Sequence, residues 1–328
     1  MAALRASVAL LNYNGWELLN AALPSVVAQR FEGYEVVVVD NGSSDGSVRN
    51  LARDWPDVRV VALPENVGVT AALNRMVQAT TGEYVALLNN DVELSPDWLA
   101  VLALALDRDP RVASVAGKLR RMDAPEIIDR AGDTLDWSSA CHGRGAGARD
   151  EGQFDAPAEV FSVGGAAALY RRSVFEEIGE FDEQFFAYLE DVDWGFRARL
   201  AGYVNRCEPA AGGLHRGGAT LGDVNAFSLY HLRRNQIWLA MKNYPGSRLL
   251  LHLPELVWLN TLHLAIATRR GRGRLVLHAY RDALAGLGEV LRKRRLIQAR
   301  RRISPRALDA VVSRPAAPVR IRAARQLA

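Results

Sequence analysis

Four consecutive valines, Val36 to Val39, with Tyr34-Glu35 before them and Asp40 after, leave the backbone few choices. So short a β-branched run is a strand. Without polar alternation it must be buried on both faces, as in the parallel sheet of an α/β protein. It stops at Asp40-Asn41-Gly42-Ser43-Ser44-Asp45-Gly46, turn chemistry followed by a helix start. The same unit recurs on either side. Val8-Ala9-Leu10-Leu11 runs into Asn12-Tyr13-Asn14-Gly15 and a helix over 16–29; residues 58–63 lead through Glu65-Asn66-Val67-Gly68 to a helix over 70–79; Tyr84 to Leu88 ends at Asn89-Asn90-Asp91. Strands alternating with helices predict a doubly wound parallel sheet up to about residue 120.

In such a sheet the carboxyl ends of the strands open on one crevice, and that is where ligands bind. Asp40 and Asp91 both stand at strand tips. An acid after the second strand suits a nucleotide's sugar or base. An acid after the fourth suits magnesium, which bridges one or two carboxylates to substrate phosphates; the plainer reading is that Asp91 only caps the next helix. No G-x-G-x-x-G or Walker loop follows the first strand, which disfavours nicotinamide enzymes and P-loop NTPases.

A second acidic group lies at 181–193, where Asp182, Glu183, Glu190, Asp191 and Asp193 are interleaved with Phe181, Phe185, Phe186 and Tyr188. Aromatic neighbours desolvate a carboxylate and raise its pKa toward the range of a general base, whereas capping of the following helix is the structural alternative. His215 and Arg216 sit between glycine pairs in Gly212–Gly218, suited to phosphate or metal, and Arg233-Arg234-Asn235 is a weaker anion-binding signal. Residues 120–160, rich in Gly, Asp and Arg, read as a mobile loop beside a site. Val160 to Tyr170 reads as one strand broken by Gly164-Gly165, followed by helices over 172–178, 188–200 and 227–242.

The net charge of +4 hides an asymmetry. Residues 269–328 hold 17 Lys and Arg against 3 Asp and Glu, while the other 268 hold 24 against 34. An acidic globule with a basic tail points to an anionic partner for the tail. The segment 249–266 is apolar but interrupted by His252, Pro254, Glu255, Asn260, Thr261 and His263, which reads as an interfacial or packed helix rather than a membrane span. An anionic membrane surface is the expected partner, ahead of nucleic acid, which the acidic domain would repel; packing of the tail on its own domain or a homo-oligomer is the alternative. Two cysteines, Cys141 and Cys207, give no disulfide framework, and Met1 to Ser7 leads straight into a strand without a signal peptide, so a cytoplasmic location is expected.

The order of these pieces resembles an inverting glycosyltransferase of family 2 with the GT-A fold. The resemblance is carried by Val8–Asn14, Val36–Ser47, Glu65–Asn74, Gly82–Asp91, Gly164–Arg172, Gly179–Arg199, His215 and Arg234-Asn235. It implies a GT-A-type domain over 1–245, with a nucleotide-binding half to about residue 120 and an acceptor half beyond, and a helical basic appendage over 246–328. It further implies that Asn12, Tyr13 and Asp40 hold the donor's nucleoside, with Asn66, Gly68, Asn74, Asn90 and Arg234 also on the donor side. Asp91 would bind Mg2+ or Mn2+ with help from His215, and Asp191, beside Glu190, would be the catalytic base. Asn89-Asn90-Asp91 departs from a full D-x-D by an amide in place of the first acid. The expected reaction moves a sugar from dTDP-rhamnose or a UDP-hexose to a hydroxyl of a glycan or lipid-linked acceptor in cell-envelope synthesis, at the inner membrane face. A sugar-phosphate nucleotidylyltransferase should carry a glycine-rich basic loop after the first strand, and none is present. A non-catalytic carbohydrate-binding protein of this fold should have lost Asp40, Asp91 or Asp191, and all are kept.

Overall fold

The computed structural model describes residues 4–217 and 225–313; Gly218 of the His215 loop and the basic stretch from 314 lie outside the described residues. The chain runs β1 (Ala6–Asn12), α1 (Trp16–Val27), β2 (Tyr34–Asp40), α2 (Ser47–Asp54), β3 (Arg59–Ala62), α3 (Val69–Gln78), β4 (Tyr84–Asn89), β5 (Val92–Leu94), α4 (Trp98–Arg108) and β6 (Val112–Ala116). Next come β7 (Leu119–Arg121), β8 (Ile128–Arg130), β9 (Asp133–Asp136), β10 (Cys141–Gly143), β11 (Ala158–Val160), β12 (Ala167–Arg171), α5 (Arg172–Ile178), α6 (Glu190–Leu200), β13 (Val204–Cys207) and β14 (Gly213–His215). The last part is α7 (Ala226–Asn243), α8 (Gly246–Arg269), α9 (Gly273–Ala285), α10 (Leu287–Ala299), α11 (Pro305–Leu308) and β15 (Val312–Ser313).

Two compact units result. The first takes the chain to Asp133, Gly143–Arg199 and the stretch from Tyr203; the second takes Thr134–His142, Leu200–Gly202 and the C-terminal helices. The first is built on an eight-stranded sheet ordered β11-β13-β6-β12-β4-β1-β2-β3. β4, β1, β2 and β3 are parallel, and β12 enters antiparallel between β4 and β6. The valine run behaves as its composition demands. Val38 packs with Leu19 and Leu23 of α1 on one face, and Val37 and Val39 pack with Leu73 and Met76 of α3 on the other. The register sets Asn12 beside Asp40 and Leu11 beside Asn89, so the polar ends of β1, β2 and β4 coincide. A smaller sheet, β5-β14-β7-β8, continues from the same end.

Three sequence expectations are corrected. Residues 120–160 are not one loop: β7, β8, β9 and β10 punctuate the stretch up to Gly143, and β8 pairs antiparallel with β7. Strands this short carry no readable periodicity. The stretch 160–170 is two strands, because Gly164-Gly165 turns the chain from β11, at one edge of the sheet, to β12 within it. The helix expected from Tyr188 starts at Glu190, since Tyr188 (φ 68°) and Leu189 (φ 67°) are left-handed.

In the second unit α7, α9 and α10 pack together. Trp238 Nε1 donates to Ala283 O (2.9 Å), Tyr230 Oη to Asp282 Oδ2 (2.6 Å) and Gln298 Nε2 to Asn243 O (2.9 Å). The apolar segment is one continuous 24-residue helix, α8, long and apolar enough by length and composition to cross a membrane, with only 6% of its apolar window buried. Its interruptions are neutralised locally. His252 Nδ1 lies 3.2 Å from Glu255 Oε2, Asn260 and Thr261 donate back to Leu256 O and Val257 O, and His263 Nδ1 meets Arg233 Nη1 at 2.8 Å. Leu250, Leu251, Val257 and Trp258 are 59–74% exposed.

α6 is anchored through Trp194, which is fully buried, packs tilted on Phe175 (ring centroids 4.7 Å apart) and edge-on to Tyr170 (5.1 Å), and donates Nε1–H to Gly179 O. Trp194→Ala should cost about 3–5 kcal/mol of stability, read as a lowered urea midpoint with unchanged slope.

Candidate functional site

The site is assembled where the strands end. A chain of buried amides crosses three tips: Asn90 Nδ2 donates to Asn12 Oδ1 (2.8 Å), and Asn12 Nδ2 donates to Asp40 Oδ2 (2.8 Å). Asp40 Oδ1 accepts Ser43 N–H (2.8 Å), closing the turn after β2. Asn14 N–H donates to Ser43 Oγ, and Ser44 N–H to Asn14 Oδ1, so the loops after β1 and β2 form one surface. Tyr13 stands 37% exposed on it. Asn66 Oδ1 accepts from Asn41 Nδ2 and Gly68 N–H, extending that surface to the start of α3.

Gly68 and Asn74 connect this half to the acidic loop. Gly68 has φ +87°, and a Cβ there would lie 2.6 Å from the Phe186 ring. Asn74 is buried, donates to Phe181 O and Glu183 Oε1 (both 3.0 Å), and accepts Phe181 N–H. The loop so held is strained: Phe186, Tyr188 and Leu189 all have positive φ just before Glu190. Left-handed non-glycine residues cost of order 1–3 kcal/mol each and gather at functional sites.

Glu190 and Asp191 open α6, where a negative charge is favoured by the helix dipole. Their surroundings differ. Asp191 Oδ2 accepts Gly165 N–H (2.9 Å) and Oδ1 accepts Val192 N–H (2.8 Å). Glu190 Oε2 is buried with no hydrogen bond. Burial raises both carboxyls above the usual range. For Asp191 this is opposed by the Arg130 charge and the two N–H donors, while for Glu190 the neighbouring Asp191 adds to it. Of the two, Asp191 is the one whose charged form has an opposing cation and two N–H donors to favour it.

On the other side of the site Asp91 follows β4. Its Oδ1 is buried without a hydrogen bond and lies 3.3 Å from His215 Nε2. His215 is placed by β14, which pairs with β5 at Val92, and Arg216 N–H donates to Asp91 O (3.0 Å). His215 Nδ1 meets Asp129 Oδ2 at 3.0 Å. Burial lowers the imidazole pKa, but the hydrogen bonds and charges of Asp129 and Asp91 outweigh it and lift the value to about 9. A buried carboxylate oxygen beside an imidazole that a second carboxylate backs has the chemistry to take part in a divalent cation site. Among the described residues no group of three or more ligating side chains converges, so such an ion would need the oxygens of a bound diphosphate to complete its sphere.

Asp129, Arg130 and Asp133 carry this geometry without having been singled out by the sequence; the one signal there was a run rich in Asp, Arg and Gly. Arg234, by contrast, belongs to the second unit, where its guanidinium lies 4.4 Å from the Trp238 ring and donates to Asn235 Oδ1. Arg233 and Asn235 lie in that unit too, and the other candidates named from the sequence lie in the first.

Comparison with known proteins agrees. Over 263 residues the chain is 27% identical to N-acetylglucosaminyl-diphospho-decaprenol L-rhamnosyltransferase of Mycobacterium tuberculosis, covering 71% of this chain and 83% of that protein. Over 201 residues it is 26% identical to the poly-beta-1,6-N-acetyl-D-glucosamine synthase of Staphylococcus aureus, covering 61% of this chain but 47% of the synthase. Among solved structures it resembles the mannosyltransferase PcManGT of Pyrobaculum calidifontis with GDP-Man and Mn2+ (TM-score 0.54, 20% identity, 90% of this chain and 85% of that one). It also resembles GalNAc-T7 with UDP, GalNAc and Mn2+ (TM-score 0.59, 17% identity, 75% of this chain and 49% of that one). At these identities the two structures speak to the fold alone, and the expected GT-A-type architecture is borne out by them. Residues 7–179, more than half of the sequence, match the model described as Glycosyl transferase family 2, and the chain belongs to that family.

Proposed function

We propose that this family 2 enzyme performs an inverting transfer, moving a sugar from a nucleotide-diphosphate donor to an acceptor hydroxyl with Asp191 as general base. The observation that carries the reading is the contrast between adjacent carboxyls: both Asp191 oxygens accept N–H groups, from Gly165 and Val192, while Glu190 Oε2 is buried without a hydrogen bond. Asp191 takes the acceptor proton as the hydroxyl attacks the anomeric carbon, and one carboxylate on the attacking face suffices for inversion. The amide chain Asn90–Asn12–Asp40 and the loops bearing Tyr13 and Asn66 form the donor's nucleoside platform, and Asn74 and Gly68 hold the base loop against it. Mg2+ or Mn2+, when bound by Asp91 and His215, supplies Lewis-acid stabilisation of the diphosphate leaving group. Asp129 fixes the His215 ring so that Nε2 faces Asp91. The similarity to a rhamnosyltransferase whose name gives a lipid-diphosphate-linked substrate favours dTDP-rhamnose as donor, ahead of a UDP-hexose, and a lipid-linked glycan as acceptor.

That acceptor class fits the second unit. The exposed face of α8 carries Leu250, Leu251, Leu253, Val257, Trp258 and Leu262 without a charge among them. Arginines and lysines follow in α9 and α10, including Arg292-Lys293-Arg294-Arg295. Apolar burial in the headgroup region plus about 1 kcal/mol per basic residue near an anionic surface makes a lipid surface the partner of this face.

Three outcomes are expected. Asp191→Asn should lower kcat by 10² or more, the scale of general-base catalysis, with donor binding unchanged, and the wild-type product should show an inverted anomeric centre by NMR; a retained configuration rejects the mechanism. Asp129→Asn should weaken Mn2+-dependent binding of a nucleoside diphosphate by about 10–100-fold in calorimetry and leave metal-free binding as it was. Full-length protein should sediment with anionic vesicles. Trp258→Glu with Leu251→Glu should release it, while high salt alone releases only part.

A further inference from the structure

Arg130 is not among the residues assigned above, yet its surroundings tie it to the base. It ends β8, and its Nη1 is 2.9 Å from Asp133 Oδ1. Asp133 is fully buried, accepts from Ser162 Oγ (3.0 Å), and exchanges backbone hydrogen bonds with Phe161 and Ser162. The Arg130 side chain lies against Gly164, where any Cβ would strike it. Gly164 precedes Gly165, the residue whose N–H holds Asp191 Oδ2. The turn that presents this donor is thus clamped by one guanidinium anchored on one buried carboxylate.

We propose that Arg130 is a positioning residue for the base: locked to Asp133 and packed on Gly164, it fixes the Gly165 N–H on Asp191. The proposal rests on Asp191 being the base. The groups that interact electrostatically with Asp191 are Glu190 on its own helix, Tyr170 of β12, and the Arg130–Asp133 pair. Of these, Arg130 is the cation that opposes the rise in the Asp191 pKa, and Asp191 in turn raises that of Asp133. A nearby opposite charge favours the ionised form of a carboxylate.

The test is the pH dependence of kcat for the full-length enzyme, in which protonation of the base sets the acid limb. Arg130→Met should move that limb up by about one unit, with the donor KM within about threefold. Arg130→Lys, which keeps the charge but not the fork, should hold the limb near its wild-type position while kcat falls by about 3–10-fold. Should the Met variant not fold, Arg130→Gln, which can still bond Asp133, should show the same raised limb. A limb that stays in place when the charge is removed, or one that rises as far with Lys as with Met or Gln, overturns the proposal. Asp191→Asn separates the two levels: if it remains active, the base assignment fails, whereas an inactive Asp191→Asn with an unmoved Arg130→Met limb removes only the role of Arg130.

Discussion

The buried relay Asn90–Asn12–Asp40 is the constraint on which the rest of the site depends. Parallel strands bring three tips together, and each tip exposes polar backbone that the crevice must satisfy. Here the side chains at those tips bond one another, at 2.8 Å each, in positions that are 5% exposed or less. Because Asn90 is fixed this way, Asp91 follows it in a fixed direction, toward His215. Gly15 is required beside the relay, since a Cβ there would strike Asn90 Nδ2. A network of this kind, satisfied at every member, gives rigidity; left half-satisfied it would be worse than apolar packing.

Strand β8 then links the two chemical halves. Its three residues are Ile128, Asp129 and Arg130, and successive side chains on a strand point to opposite faces. Asp129 backs His215 on one side; Arg130 clamps the Gly164-Gly165 turn beside Asp191 on the other. One short strand paired with β7 thereby sets the distance between the carboxylate that would handle the metal and the one that would handle the proton. Rigid elements hold such constellations better than loops do.

The sheet was legible because burial on both faces forces unbroken apolar runs, and Val37, Val38 and Val39 are all fully buried, divided between two cores. Asp40, Asp91 and Asp191 were legible because acids at strand tips or among aromatics are chemically unusual. Asp129, Arg130 and Asp133 were not. They lie in strands of three or four residues, too short for a period, and their meaning comes from partners such as His215, 86 residues away. The left-handed Tyr188 and Leu189 were also invisible, because local propensity continues the helix where Asn74 and Phe186 impose a turn. Arg234 was singled out from its basic neighbourhood, yet its guanidinium is engaged within α7 by Asn235, Tyr230 and Trp238.

Helix α8 shows the same limit from the opposite direction. Six polar or helix-breaking residues in eighteen argue from sequence against a membrane span and for an interfacial or packed helix. In the helix most of them are satisfied within the second unit: His252 stacks on Trp137 at 4.6 Å and contacts Glu255, Asn260 and Thr261 bond carbonyls one turn back, and His263 meets Arg233. His252 and His263 are thus drawn inward, and the outward face carries Leu250, Leu251, Val257 and Trp258 with Pro254 and Thr261 among them. A tryptophan at the edge of such a face is the residue that favours the boundary between headgroup and acyl chain. Amphipathicity that arises from which polar groups find partners, rather than from their number, cannot be read from a count of interruptions; it emerges only once the helix is packed.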